Sequence, residues 1–224
     1  MGGRLFGGTC YLCRGDSKAT LCADCHGDLP YLARPRCPQC ASPSFGGIAC
    51  GRCLADAPAY DATVAVFAYA FPADILVQGL KFRGELSLAP LLANEMAGEF
   101  GRQAVEAVDF AMPVPLHDAR LRERGYNQAM EIARGLAKLN GTKVMPDLCM
   151  RVRDTAAQLD LPLKERRANV RDAFSCRRAV EGKRIAVVDD VMTTGATLHE
   201  VAATLKKFGA KRVVNWVVAR TPAD

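Results

Sequence analysis

Residues 185–198 read Ile185-Ala186-Val187-Val188-Asp189-Asp190-Val191-Met192-Thr193-Thr194-Gly195-Ala196-Thr197-Leu198, and no other stretch restricts the fold as tightly. Four consecutive apolar residues suit a strand buried on both faces. An acidic pair sits at its carboxyl end, and a hydroxyl-rich turn follows around one glycine. From Thr197 the period changes: Leu198, Val201, Ala202 and Leu205 share one face of a helix that stops at Gly209. In open α/β sheets, ligands sit beyond the carboxyl ends of strands, where helix amino termini attract anions. Threonine hydroxyls and backbone N–H groups around a permissive glycine make a phosphate cradle. The two carboxylates before it would repel a phosphate, so they face something else: a ribose diol or a hydrated Mg²⁺. The plainer reading is that Thr197 and Glu200 form a capping box for the helix.

Eight of the ten cysteines form four Cys-x-x-Cys pairs: Cys10/Cys13, Cys22/Cys25, Cys37/Cys40 and Cys50/Cys53. A two-residue gap lets one tight turn present both thiolates to the same ion, and two such knuckles complete a tetrahedral S₄ site. Four knuckles imply two structural zinc ions. Consecutive and cross-braced pairings are both open. Gly, Pro, Asp and Ser fill the spaces between, so metal must supply much of this region's folding free energy. Cys22-Ala23-Asp24-Cys25-His26 also fits a haem-attachment pattern, but its three sibling pairs lack the histidine. Cys149 and Cys176 stand apart and read as small buried residues. The expected domains are a zinc-binding module over residues 1–58 and an α/β domain over 59–224.

Charge and hydropathy narrow the function classes. The net charge is +6, and residues 116–184 hold sixteen Lys/Arg against nine Asp/Glu. That suits an anionic ligand and falls short of a dedicated duplex-DNA binder. The cysteine region carries only six Lys/Arg against four Asp/Glu, which gives little support to strong phosphate contact. Residues 1–9 lack the apolar core of a secretory signal, and the longest apolar stretch, 62–73, is too short to span a bilayer. The expectation is a cytoplasmic protein with no membrane partner, its cysteines engaged in metal or thiol chemistry rather than disulfides.

Along the α/β part, 60–71 reads as a strand or hairpin arm, 75–82 and 86–100 as helices, and Lys81-Phe82-Arg83-Gly84 as a basic turn. A strand over 108–116 ends at Pro113-Val114-Pro115, because proline cannot continue a ladder. A donor-rich loop follows with His117, Arg120, Arg122 and Arg124. Asn127 then caps a helix whose apolar face is Met130, Ala133, Leu136 and Ala137 and which ends at Asn140-Gly141. Residues 142–149 read as another strand. Residues 151–171 are long, polar and short of apolar anchors, which suits a lid. A final strand covers 212–219, with Trp216 in the core.

Asp-Asp, two apolar residues and Thr-Thr-Gly-x-Thr after an apolar run resemble the 5-phosphoribosyl-1-diphosphate (PRPP) motif of type I phosphoribosyltransferases. The full ordered set resembles the ComF family. It comprises four Cys-x-x-Cys pairs, Pro-Val-Pro-Leu, Arg-x-Arg-Gly-Tyr-Asn-Gln-Ala, Arg-x-x-x-Thr-x-x-Gln, Glu-Arg-x-x-Asn-Val and the PRPP motif. Tyr126 stands where Phe is usual. The resemblance implies a type I phosphoribosyltransferase-like parallel sheet with helices on both faces, preceded by a small zinc-ribbon module. It also implies a link to DNA uptake in competence. It places the sugar 5-phosphate on Thr193, Thr194, Gly195, Ala196 and Thr197, and the ribose along Asp189 and Asp190, the catalytic candidates. Arg120, Arg122, Arg124 and Lys81 would meet pyrophosphate, with Arg151, Arg153 and Gln158 on the closing flap and magnesium accompanying PRPP.

Two readings follow. One is Mg²⁺-dependent phosphoribosyl transfer to an unnamed acceptor in nucleotide metabolism. The other is a non-catalytic PRPP sensor whose zinc part contacts a partner protein or single-stranded DNA. A more distant reading makes Asp189 and Asp190 metal ligands of a phosphotransfer domain. His117 and His199 read as a loop polar group and a helix-surface residue.

Overall fold

The computed structural model describes residues 8–103, 105–153 and 169–221. The cysteine-rich region contributes a minimal hairpin, β1 (Gly8–Thr9) and β2 (Asp16–Ser17), and two single-turn helices, α1 (Ala23–Gly27) and α2 (Gly51–Ala55). The chain continues as β3 (Ala62–Ala68), α3 (Ala73–Phe82), α4 (Leu88–Gln103), β4 (Phe110–Pro113), α5 (Asp118–Arg124) and α6 (Gln128–Asn140). Then come β5 (Cys149–Arg151), β6 (Phe174–Cys176), β7 (Arg184–Met192), α7 (Ala196–Lys207) and β8 (Arg212–Arg220).

The main sheet has the order β3-β8-β7-β4 with every pair parallel. Alternation along each strand sorts side chains to two faces. Val64, Val66, Ala186, Val188 and Trp216 join the core formed with Leu76 of α3, Leu92 of α4 and Leu136 of α6. Ala65, Met112, Ile185, Val187 and Val217 join the opposite core with Leu198, Val201 and Leu205 of α7. Both faces are therefore covered, which a parallel sheet requires. A fully buried leucine such as Leu92 contributes about 2 kcal/mol. The helices after β4 and β7 leave on opposite faces, so the switch point lies between those two strands, where open sheets form their crevices. Among the described residues, no helix is long and apolar enough to cross a membrane.

The cysteine-rich region covers the β3 edge. Leu32 N–H donates to the Val66 carbonyl at 2.9 Å, Ala68 N–H to Pro30 at 2.8 Å and Thr63 N–H to Pro38 at 3.0 Å. These bonds satisfy an edge that would otherwise offer itself to another strand. Arg34, Arg36, Arg102 and Gln103 converge on the buried carboxylate of Glu99 in α4. Among its described residues the region has no separate core: Cys10, Leu21 and Leu29 pack into one main core, Cys37, Cys40 and Cys53 into the other.

Several local expectations are corrected. The donor-rich loop after Pro115 contains α5, started by the His117 ring accepting from Ala119 N–H. The buried face of α6 is Ala129, Ile132, Ala133 and Leu136, with Met130 and Ala137 only half-buried. The strand expected over 142–149 reduces to one bridge between Val144 and Ala111, and pairing resumes only at β5. Cys149 and Cys176 face each other across β5 and β6 and are joined by a disulfide, so they are not unpaired residues. Cross-strand pairing of this kind leaves no local trace in sequence. Most of the expected flap, including Gln158, lies outside the described residues.

Candidate functional site

The crevice at the switch point is centred on β7, the turn after it and the start of α7. β7 runs through the acidic pair to Met192, pairing with β8 as far as Met192 opposite Arg220. The turn after it passes through Gly195, whose φ is 82° and which caps α7. A Cβ on Gly195 would stand 2.7 Å from Met192 Cε and 2.8 Å from Tyr60 Oη, so any other residue here is strained by its φ and must also displace those side-chain ends. Thr194 Oγ1 accepts from Ala196 N–H at 3.3 Å; Thr197 lies inside the helix and is not its cap.

Asp190 is 3% exposed. Its Oδ2 receives Lys81 Nζ at 3.1 Å and Gln128 Nε2 at 3.4 Å, while its Oδ1 accepts from Val191 N–H at 2.9 Å. Asp189 is half-buried, with Oδ1 accepting from Asp190 N–H at 2.9 Å. Burial and the adjacent Asp190 charge push the Asp189 carboxyl well above the usual range. Burial also opposes ionisation of Asp190, but the Lys81 ammonium outweighs it and holds that carboxyl low. Lys81 is raised in turn: burial works against its charge, and Asp190 and then Asp189 overcome it. The pair is thus divided into one carboxylate committed to a lysine and one that keeps its proton more readily.

A cleft of about 140 Å³ opens over this pair, walled by Lys81, Arg120, Arg124, Gln128, Arg151, Thr193 and Thr197. Two hydrogen bonds hold its walls. Tyr126 Oη donates to the Leu80 carbonyl, fixing the end of α3, and Asn127 Nδ2 donates to Val114 at 3.0 Å. Arg124 donates to Gln128 Oε1 and stacks over Phe82, 5.7 Å from the ring centre. Not every candidate is gathered here. Arg122 is exposed on α5 and does not line the cleft. Arg153 is exposed and donates to the carbonyls of Arg171 and Asn169. Thr194, Gly195 and Ala196 line a neighbouring cavity of about 260 Å³ that they share with Cys40, Cys53 and Tyr60. Gln128 belongs to the Arg-x-Arg-Gly-Tyr-Asn-Gln-Ala motif but has no role assigned to it there; its contact with Asp190 spans 62 residues.

The eight paired cysteines form two groups, Cys10/Cys13/Cys22/Cys25 and Cys37/Cys40/Cys50/Cys53, with the sulfurs of each group within 4.8 Å of one another. Pairing is therefore consecutive. Cys22 N–H donates to Cys10 Sγ at 3.3 Å, and Cys50 N–H to Cys37 Sγ at 3.4 Å. Burial opposes the Cys10 thiolate, yet the N–H groups of Cys13, Cys22 and Leu12 bring its pKa down to about 6. Four soft donors at this spacing fit tetrahedral Zn²⁺, and each group closes its site with no open position. His26 is tied to the α/β part, its Nε2 lying 2.8 Å from Glu95 Oε1. His199 Nδ1 accepts from Ala59 N–H at 3.1 Å.

Comparison with known proteins agrees with this architecture. The Phosphoribosyl transferase domain family matches residues 86–224, and the Double zinc ribbon domain family matches residues 3–54. Competence protein F of Haemophilus influenzae is 32% identical over 222 residues, covering 94% of this chain and 96% of its own length. DNA utilization protein YhgH of Salmonella typhimurium is 35% identical over 225 residues, covering 96% and 97%. Competence protein ComFC of Bacillus subtilis is 25% identical over 206 residues, covering 89% and 82%. The chain belongs to the ComF family.

Proposed function

We propose that this protein binds PRPP with Mg²⁺ in the cleft above Asp189 and Asp190 and transfers its phosphoribosyl group to an acceptor during the handling of incoming DNA. The observation that supports it most directly is the shared cleft. The acidic pair, two threonines of the turn and the cations Lys81, Arg120 and Arg124 open into one space. In this reading the 193–197 turn receives the 5-phosphate through backbone N–H groups and hydroxyls. Asp190, held rigid by Lys81 and Gln128, and Asp189 accept from the ribose hydroxyls. Arg120 and Arg124 neutralise the pyrophosphate as it leaves, because charge builds there in an oxocarbenium-like transition state. Arg151 stands at the start of the segment expected to close the site. Asp189 fits magnesium, a hard cation that takes one or two carboxylates together with substrate oxygens. When bound, it would add positive charge beside the pyrophosphate.

Engagement of Asp190 Oδ2 by Lys81 and Gln128 counts against the reading in which both carboxylates ligate a metal alone. The same engagement suits the sensor reading, since it fixes the ribose site. Names of the relatives, competence and DNA utilization, support the biological setting proposed here. Calorimetry with PRPP and Mg²⁺, followed on the same sample by an acceptor screen for pyrophosphate release, separates the outcomes. Turnover with any acceptor supports transfer, binding with none supports the sensor, and no binding sinks both.

A further inference from the structure

Arg220 ends β8 with 2% of its surface exposed, and its planar fork joins two elements distant in sequence. Nε donates to the Cys40 carbonyl at 3.0 Å and Nη2 to Ser42 Oγ at 3.2 Å, both on the second cysteine cluster's first knuckle. Nη1 donates to the Met192 carbonyl at 3.1 Å, to the Thr193 carbonyl that opens the 193–197 turn, and to Thr221 at 2.7 Å. No ion pair among the described residues includes Arg220. A buried cation still needs compensation. Four thiolates around one divalent ion carry a net negative charge, and Arg220 rests on the carbonyl of one of those four residues.

The turn is also braced from the same side. Tyr60 Oη lies 2.8 Å from where a Cβ on Gly195 would stand, and both residues line the cavity of about 260 Å³ together with Cys40, Cys53, Thr194 and Ala196. We propose that Arg220 is a positioning residue through which metal in the Cys37/Cys40/Cys50/Cys53 cluster orders the 193–197 turn and so sets its affinity for a phosphate-bearing ligand. This rests on reading the turn as the 5-phosphate cradle. An arginine suits the role because one rigid fork spans both partners, whereas a lysine ammonium is a single point. The coupling is reciprocal: a ligand on the turn must tighten that one metal site.

The test uses full-length wild type, Arg220→Lys and Arg220→Gln, each confirmed to hold two zinc ions. Zinc release to a chromogenic chelator is timed with and without ribose 5-phosphate, which carries the phosphate and lacks pyrophosphate. In wild type, one zinc should leave about tenfold more slowly with the ligand present, the other unchanged. Both variants should lose this protection. Protection that survives in them, or is missing from a wild type that binds ribose 5-phosphate, overturns the coupling.

Amide hydrogen exchange of residues 193–198, with β4 as internal reference, needs neither ligand nor a folded Gln variant. The turn should exchange faster in zinc-loaded Arg220→Lys, and in wild type after chelation, while β4 holds steady. If ribose 5-phosphate and PRPP do not bind but exchange responds, the cradle reading fails and the Arg220 link stands. If they bind and exchange does not respond, the link fails and the cradle stands.

Discussion

Lys81 Nζ lies 3.1 Å from Asp190 Oδ2, which ties the last turn of α3 to the strand carrying the acidic pair. Both side chains are largely withdrawn from solvent, at 23% and 4% exposure. Removing one partner strands a buried charge. Lys81→Met should destabilise the fold by about 3–5 kcal/mol in urea denaturation. Lys81→Met with Asp190→Asn should recover part of that loss, because it removes both charges. Equal destabilisation in the single and double variants would show that the pair is not the cause.

Protonation of the other carboxylate should appear in ligand binding. Asp189 is held above the usual carboxylate range, so its folded form retains a proton at pH values where a free aspartate would not. A Mg²⁺–PRPP complex favours the ionised form. Affinity should therefore rise with pH through the raised pKa of Asp189, and calorimetry on Asp189→Asn should give a flatter profile. An identical profile in that variant would remove Asp189 from the site.

Glu99 governs acid stability where the cysteine region meets α4. Burial raises its pKa, but Gln103, Arg102, Arg36 and Arg34 together bring it down to about 2 from 4.5. A depressed carboxylate contributes stability that is complete above its unfolded pKa and lost as pH falls through the folded one. Wild type should thus lose stability between pH 4.5 and about 2. The contribution is at most about 3 kcal/mol, less after screening of the half-exposed Arg34 and Arg102. Glu99→Gln should be less stable near neutrality and less sensitive to acid over that window.

Gly195→Ala tests the turn. Its φ of 82° and the contacts with Met192 and Tyr60 both oppose a Cβ. The substitution should cost about 1–3 kcal/mol in stability and weaken PRPP binding at least about tenfold. Adding Tyr60→Phe relieves one contact but not the dihedral, so it should restore little. An unchanged PRPP affinity would separate the turn from the phosphate.

Zinc should be stoichiometric. Elemental analysis is expected to give two ions per chain, one for each cysteine group. Strong chelation should lower the melting temperature, because metal supplies folding free energy to a region without its own core. A folded, metal-free protein of unchanged stability would refute this.

What the sequence made legible was local. The period change across 185–198 marked β7, its turn and α7, and Asn127 and Gly141 do cap α6. The Cys-x-x-Cys spacing disclosed the eight ligands, but not which four share an ion. What it concealed depends on distant partners: Gln128 against Asp190, Glu99 gathering Arg34 and Arg36, and Arg220 reaching Cys40. Short α5 was hidden because its seven residues, started by a histidine ring, hold too few apolar side chains to show a period.

The placement of β8 has a consequence for how the molecule is made. It lies between β3 and β7 and pairs with both, although it follows them in the chain. A growing polypeptide must therefore hold two apolar strands apart, each with an open edge, until the segment that belongs between them has emerged. Such long-range closure is slow and exposes aggregation-prone surface meanwhile. Arg220 arrives with that same segment. Loss of β8 would then not leave a weakened protein with a partial site; it would leave β3 parted from β7, joined only through the helices packed on them.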